Sequence, residues 1–232
     1  MRVLRLLLFV VLFSIPLFAQ TTPRAQGDPQ AIAVVQAAIA ALGGTTAITQ
    51  YHSWTFQADM EGVGANGHIT YSMGAQPSNF ALLRKPNNPL SIRSFFVPAS
   101  VGAVLANEFK DPRFAMQYLG PTVIDSKSVT AVALFLGPSR TLDTQIWYFD
   151  GSGLPVRVNF RLPGELGPRV SYATVVDLSD YRSVSGVLHP FRIVTNMENG
   201  VPEVITVQSV TPTGSDLPED LNGPAGDLPS EF

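Results

Sequence analysis

The chain has 232 residues, with 15 Lys+Arg against 18 Asp+Glu, a formal net charge of −3 and no cysteine. That balance argues against nucleic acid as a partner, which requires a clustered basic face, and against adsorption to anionic membrane surfaces. The lack of cysteine rules out a disulfide framework and the lipid-bearing cysteine of a bacterial lipoprotein, so a core must hold the fold together. Residues 1–19 read as a signal peptide: Arg2 and Arg5 form a positive start, Leu6 to Phe13 is an apolar run, Ser14 and Pro16 break it, and Ala19 offers the cleavage point. The run is shorter than the ~20 apolar residues of a spanning helix. Without Arg2 and Arg5 the basic count falls to 13 and the formal charge becomes −5. The expected product is soluble, periplasmic and monomeric, not an integral membrane protein. Its roughly 210 residues suffice for one domain.

Residues 20–27 form a polar leader, expected to be loose. Asp28 then caps a helix with Pro29 at its first position. Ile32, Val35, Ile39 and Leu42 recur at helical spacing, and Gly43-Gly44 ends the helix. Its apolar face is narrow, which suits a helix lying on a sheet. From Trp54 the period changes to two: Trp54, Phe56, Ala58 and Met60 alternate with polar residues. Asn66-Gly67 marks a tight hairpin, followed by a return strand over Ile69 to Met73. Phe80 to Arg84 and Ser91 to Val97 read as two more strands around the Lys85 to Pro89 turn. Between Pro98 and Pro121 the pattern predicts one or two short helices. Ser100 caps the first, with Val101, Val104 and Leu105 on one side. Asp111-Pro112 opens a second that Gly120-Pro121 stops.

Strands resume at Val129 to Leu136 and Thr144 to Phe149. After the turn Asp150 to Gly153, Val156, Val158, Phe160 and Leu162 alternate with polar residues. Val170 to Leu178, Val187 to Met197 and Val204 to Val210 follow, the last two joined around Asn199-Gly200. Short turns force antiparallel pairing. The predicted fold class is mainly β (α+β): a curled antiparallel meander of roughly nine to eleven strands, with one N-terminal helix and short lid helices. The domain spans residues 28–211, and residues 212–232 form an acidic tail without a period.

No catalytic constellation emerges. Gly151-Ser152-Gly153 sits in a hairpin, not in the strand-to-helix turn of a nucleophile elbow. His52, His68 and His189 are isolated, so no metal site is predicted. Asp59 and Glu61 share the polar face of one strand, where solvent is the expected neighbour. No phosphate loop or dinucleotide fingerprint is present, and no cofactor is expected. The aromatic runs Trp147-Tyr148-Phe149 and Phe95-Phe96 place apolar groups on both faces of their strands, consistent with an ordinary core or a lined pocket.

Trp147-Tyr148-Phe149-Asp150-Gly151-Ser152-Gly153-Leu154-Pro155-Val156-Arg157-Val158 forms an aromatic strand, a turn and a return strand. Asp177 to Ile193 runs D-Y-R-x-V-x-G-V-x-x-P-F-x-I from Asp180 on. Together these segments resemble outer-membrane lipoprotein-sorting-like proteins, the LolA-like superfamily, over roughly residues 140–210. The resemblance implies an unclosed β half-barrel whose opening is covered by helices. It implies a non-enzymatic carrier of a lipid or an acylated protein, with an envelope protein as a further partner. Phe95, Phe96, Val104, Leu105, Phe114, Met116 and Tyr118 are then the candidates to line or lid the cavity, plain core packing being the alternative for each. The competing expectations are an interaction or sensor module on the same fold with a filled core, and an enzyme whose histidines and acids converge only in space.

Overall fold

The computed structural model of the protein describes residues 26–51, 53–62, 67–74, 100–136, 144–163, 171–198 and 200–213. Gln26–Gly27 forms β1, followed by the helices Pro29–Ala41 (α1) and Gly44–Gln50 (α2). The hairpin Ser53–Glu61 (β2) and Gly67–Gly74 (β3) precedes a third helix, Val101–Lys110 (α3). Seven strands complete the domain: Phe114–Ile124 (β4), Lys127–Leu136 (β5), Thr144–Phe149 (β6), Pro155–Pro163 (β7), Ser171–Val184 (β8), Val187–Met197 (β9) and Glu203–Thr213 (β10).

All ten strands join one sheet in the order β1-β4-β5-β6-β7-β8-β9-β10-β2-β3. β4 to β10 form the expected antiparallel meander. The β2–β3 hairpin attaches beyond β10, so the first long strand pairs with the last, Ile205 opposite Met60 and Thr213 opposite Ser53. The sheet does not close: it is an unclosed half-barrel with β1 and β3 at its edges.

Alternation makes one face apolar. Trp54, Phe56, Val132, Leu134, Trp147, Phe149, Val158, Val176, Ile193, Ile205 and Val207 are each at most 2 % exposed and form one cluster with residues of the three described helices. α1 begins as predicted: the Asp28 carboxylate accepts from the Gln30 N–H at 2.8 Å, and Pro29 needs no N–H at the first helical position. Ala31, Val35, Ala38, Ile39 and Leu42 are its buried stripe.

The two ends of the half-barrel differ. At one, the turn end, β4–β5 and β8–β9 are joined by two-residue loops, Asp125-Ser126 and Ser185-Gly186, whose four φ angles are all positive. These are type I′ hairpins, the form matched to strand twist. At the other, the loop end, connections are longer: residues 62–66, 137–143, 164–170 and 198–202. α3 runs from the turn end, where Gly102 meets Ile48 and Leu42, to the loop end.

Several expectations change. The segment after Asp111-Pro112 is a strand, not a second helix. Asp111 accepts from the Arg113 N–H at 2.9 Å, and its carbonyl accepts from the Phe114 N–H at 3.0 Å, so the proline sits in a turn. Proline favours the second position of a type I turn as much as the first turn of a helix, and this ambiguity misplaced the element. Gly120, at φ 96, lies at a register shift of β4 instead of a helix end, with Leu119 pushed outward. Asn66 and Asn199 of the two expected tight hairpins lie outside the described residues, but the pairing around them leaves more than a two-residue turn. Gly67 already pairs with Met60, and Glu203 with Thr195. The end of the polar leader is not loose: Gln26 and Gly27 pair in parallel with Ala115 and Met116. α2 follows directly on Gly43, and β10 continues to Thr213. The strands expected at Phe80 to Arg84 and Ser91 to Val97 lie outside the described residues.

Candidate functional site

The concave face under the helices gathers five of the seven predicted lining residues. Val104 and Leu105 on α3 are 1 % and 0 % exposed, Phe114 and Met116 on β4 are 1 % and 3 %, and all four belong to the same apolar cluster. Tyr118 packs against it, partly buried. Phe95 and Phe96 lie outside the described residues. Val104 and Leu105 therefore come from a covering helix, and Phe114, Met116 and Tyr118 from the sheet beneath.

At the turn end the face is tied down. Leu188 donates its N–H to the Leu42 carbonyl at 2.9 Å, locking α1 to the β8–β9 hairpin. His189 lies edge-on to Trp54, ring centroids 4.6 Å apart, and to Phe56 at 5.8 Å, a packed aromatic group.

At the loop end the buried face turns polar. Gln145, Thr174, Thr195 and Glu203 occupy the apolar phase of their strands, near the starts of β6, β8 and β10 and the end of β9, and each is buried. Above β6, Glu108 of α3 is 2 % exposed. A hydrogen-bonded chain joins three of these elements' side chains. The Trp147 indole Nε1–H donates to Gln145 Oε1 at 2.8 Å, and Gln145 Nε2–H donates to Glu108 Oε1 at 3.0 Å. Glu108 Oε2 and Glu203 Oε2 are buried with no hydrogen-bond partner. Burial raises both carboxyls, Glu108 to about 8 and Glu203 to about 7, since a charge loses its hydration there.

Glu108 was missed, although its position shows a signal. Residues 101, 104, 105 and 108 make one helical stripe, so the carboxyl falls where an apolar side chain is due. Gln145 likewise stands in phase with Trp147 and Phe149.

The motifs first noted as chemical candidates have structural partners. Ser152 donates both its N–H and its hydroxyl to Asp150 Oδ1, at 2.9 and 2.6 Å, within the β6–β7 turn. Asp59 accepts from His68 Nδ1 at 3.0 Å and Gln208 Nε2 at 2.7 Å on an exposed surface, and these bonds lower its pKa. Among the described residues no three His, Asp or Glu side chains gather as a metal site; His52 lies outside them.

No family model and no curated protein matches the chain. Solved structures do. A domain from Vibrio parahaemolyticus attributed to outer membrane lipoprotein sorting shares 12 % identity over 83 % of this chain and 96 % of its own, with a TM-score of 0.50. A LolA superfamily protein from Nitrosomonas europaea shares 12 % identity over 82 % and 96 %, TM-score 0.47. A DUF1329 family protein from Desulfovibrio piger shares 8 % over 81 % and 95 %, TM-score 0.48. The likeness to the Vibrio parahaemolyticus domain is one of fold, here a half-barrel with helices over its concave face. Among the described residues no single helix is long and apolar enough to cross a membrane; α1 and α2 pass that test together only as a pair bent by 56°.

Proposed function

We propose that this protein is an exported periplasmic carrier that shelters a lipid or lipoprotein acyl chain on its concave face, without catalysis. One observation carries the reading. Among the described residues the apolar face of the open sheet is covered by helices, and one of them, α3, spans from the tied turn end to the loop end. Moving a single helix exposes a continuous apolar strip. Burying ~14 methylenes there contributes on the order of 11 kcal/mol gross, offset by ordering the ligand and displacing the helix. The likeness to a lipoprotein-sorting domain supports the same reading through the fold. The candidates that line or lid the path are Val104, Leu105, Phe114, Met116 and Tyr118, with Phe95 and Phe96 proposed on sequence alone.

A second reading has its own support. The large aromatic side chains of the concave face, Trp54, Phe56, Trp147 and Phe149, are each at most 2 % exposed, so the described core is filled in this conformation. That suits an interaction or sensor module whose face never opens. Native mass spectrometry of the mature protein from an exporting host, with organic extraction, separates the two. A stoichiometric lipid is expected. A clean apo mass, together with no uptake of added fatty acid or lipopeptide, overturns the carrier reading and leaves the interaction module.

A further inference from the structure

We propose that Glu108 Oε2 is a hydrogen-bond donor site at the loop end that reads the carbonyl oxygen at the head of a bound acyl chain. The inference rests on the carrier reading and names what that site recognises.

The direction of the hydrogen bonds carries the argument. An indole nitrogen can only donate, so Trp147 fixes the oxygen of the Gln145 amide toward itself. The Gln145 nitrogen must then face Glu108 and donate to Oε1. Oε1 is thereby the accepting oxygen of the carboxyl. A proton held by Glu108 sits on Oε2, the oxygen with no partner. The surroundings keep that proton in place. Glu108 is 2 % exposed, and the charge that acts on it is the like-signed Asp111, which opposes ionisation. The nearby cation Arg113 is held by Asp111, through Nε at 3.0 Å and Nη2 at 2.6 Å.

With the carboxyl protonated, Oε2 is a buried donor with no acceptor. Leaving such a donor unmet is destabilising, and an acceptor arriving with a ligand recovers that loss. Position selects the ligand. Val104 and Leu105 lie one turn back on the same stripe of α3, so a chain along them brings its head to Glu108. An ester, amide or acid carbonyl supplies the acceptor; a cationic head would instead need the ionised carboxylate.

The test compares methyl laurate with dodecane, each displacing a neutral apolar fluorophore from the mature protein. The ratio of ester to alkane affinity cancels the shared chain. It is expected to fall about tenfold in Glu108→Met, the equivalent of one hydrogen bond. It is expected to survive in Glu108→Gln, whose amide N–H still donates. An unchanged ratio in Glu108→Met overturns the proposal while leaving the carrier reading intact. Loss of the ratio in Glu108→Gln as well overturns it, because the amide N–H there still donates and the preference would then not rest on a hydrogen-bond donor. Failure of every protein to bind either probe overturns the carrier reading itself. If Glu108→Met does not fold, the wild-type ratio followed with pH decides. It should fall as pH passes about 8, where the proton leaves, and a constant ratio up to pH ~9.5 overturns the proposal.

Discussion

Tyr181 donates its phenolic O–H to the Pro155 carbonyl oxygen at 2.6 Å, bonding the two segments whose pattern most resembles the lipoprotein-sorting proteins. The ring is half-buried, and desolvation of its hydroxyl raises the phenol well above its ordinary range. Arg157 and Asp177 repeat the linkage between the same two strands, and Arg157 also reaches Asp125 at 3.0 Å. The motif is therefore a clamp at the turn end, distant from the polar loop end. Tyr181→Phe removes the bond and leaves the carbonyl unmet. It should cost about 1–2 kcal/mol in urea unfolding and leave ligand binding unchanged.

Asp150 organises the neighbouring turn. Its Oδ1 accepts from the Ser152 N–H, the Ser152 hydroxyl and the Leu154 N–H. Asp150→Ala releases all three donors at an exposed turn, where water replaces part of the loss. A destabilisation of about 1–2 kcal/mol is expected from the lost Asx turn, read as a lower unfolding midpoint. Ser152→Ala removes one of the three and should cost well under half as much. Equal losses in the two variants would place the effect in Ser152 and not in the carboxylate.

Where local chemistry specified one structure, the sequence was readable. Asp28-Pro29 could only open a helix before an apolar stripe, and Trp54, Phe56, Ala58 and Met60 all face the core as their alternation predicts. Where one signal fits two structures, it misled. Asp111-Pro112 serves a turn as well as a helix start. Asn-Gly favours a type I′ turn, yet the real two-residue turns use Asp125-Ser126 and Ser185-Gly186, fixed by strand register and not by the best turn residues. The β2–β10 pairing joins residues about 150 positions apart, which no local pattern encodes. At the site, apolar residues such as Leu105 and Phe114 were legible as greasy but not as helix over sheet. Glu108 was legible only as an interruption of a stripe, and its partner Gln145 comes from a distant strand.

Gly43 is the contact on which the helical cover turns. Its φ is 122, and a Cβ there would lie 2.3 Å from the Gly186 carbonyl oxygen, inside the β8–β9 hairpin. Gly44, at φ 80, has nothing within 4 Å of its would-be Cβ. Both positions strain an L-residue, so Gly44→Ala should cost about 1 kcal/mol. Gly43→Ala adds a backbone clash and should cost at least ~2–3 kcal/mol. Hydrogen exchange should show the extra loss at Leu188, whose N–H bonds to Leu42. Equal protection of Leu188 in the two variants would mean that α1 is not held through this junction.

The raised carboxyl of Glu108 sets a pH dependence with a definite sign. The folded protein holds this proton up to about 8, whereas the ordinary value is 4.5. Its contribution to stability is complete below about pH 4.5. It declines steadily as pH rises toward 8 and is constant above that. Glu203, raised to about 7, acts in the same direction over a narrower window. Glu108→Gln keeps an oxygen for Gln145 and has no proton to lose. The variant should match the wild type near pH 4.5, overtake it as pH rises and keep a constant advantage above pH 8. Urea midpoints at pH 5, 6.5, 8 and 9 measure the difference. A difference independent of pH would show that Glu108 is ionised in the folded protein, and would remove the donor from the loop end.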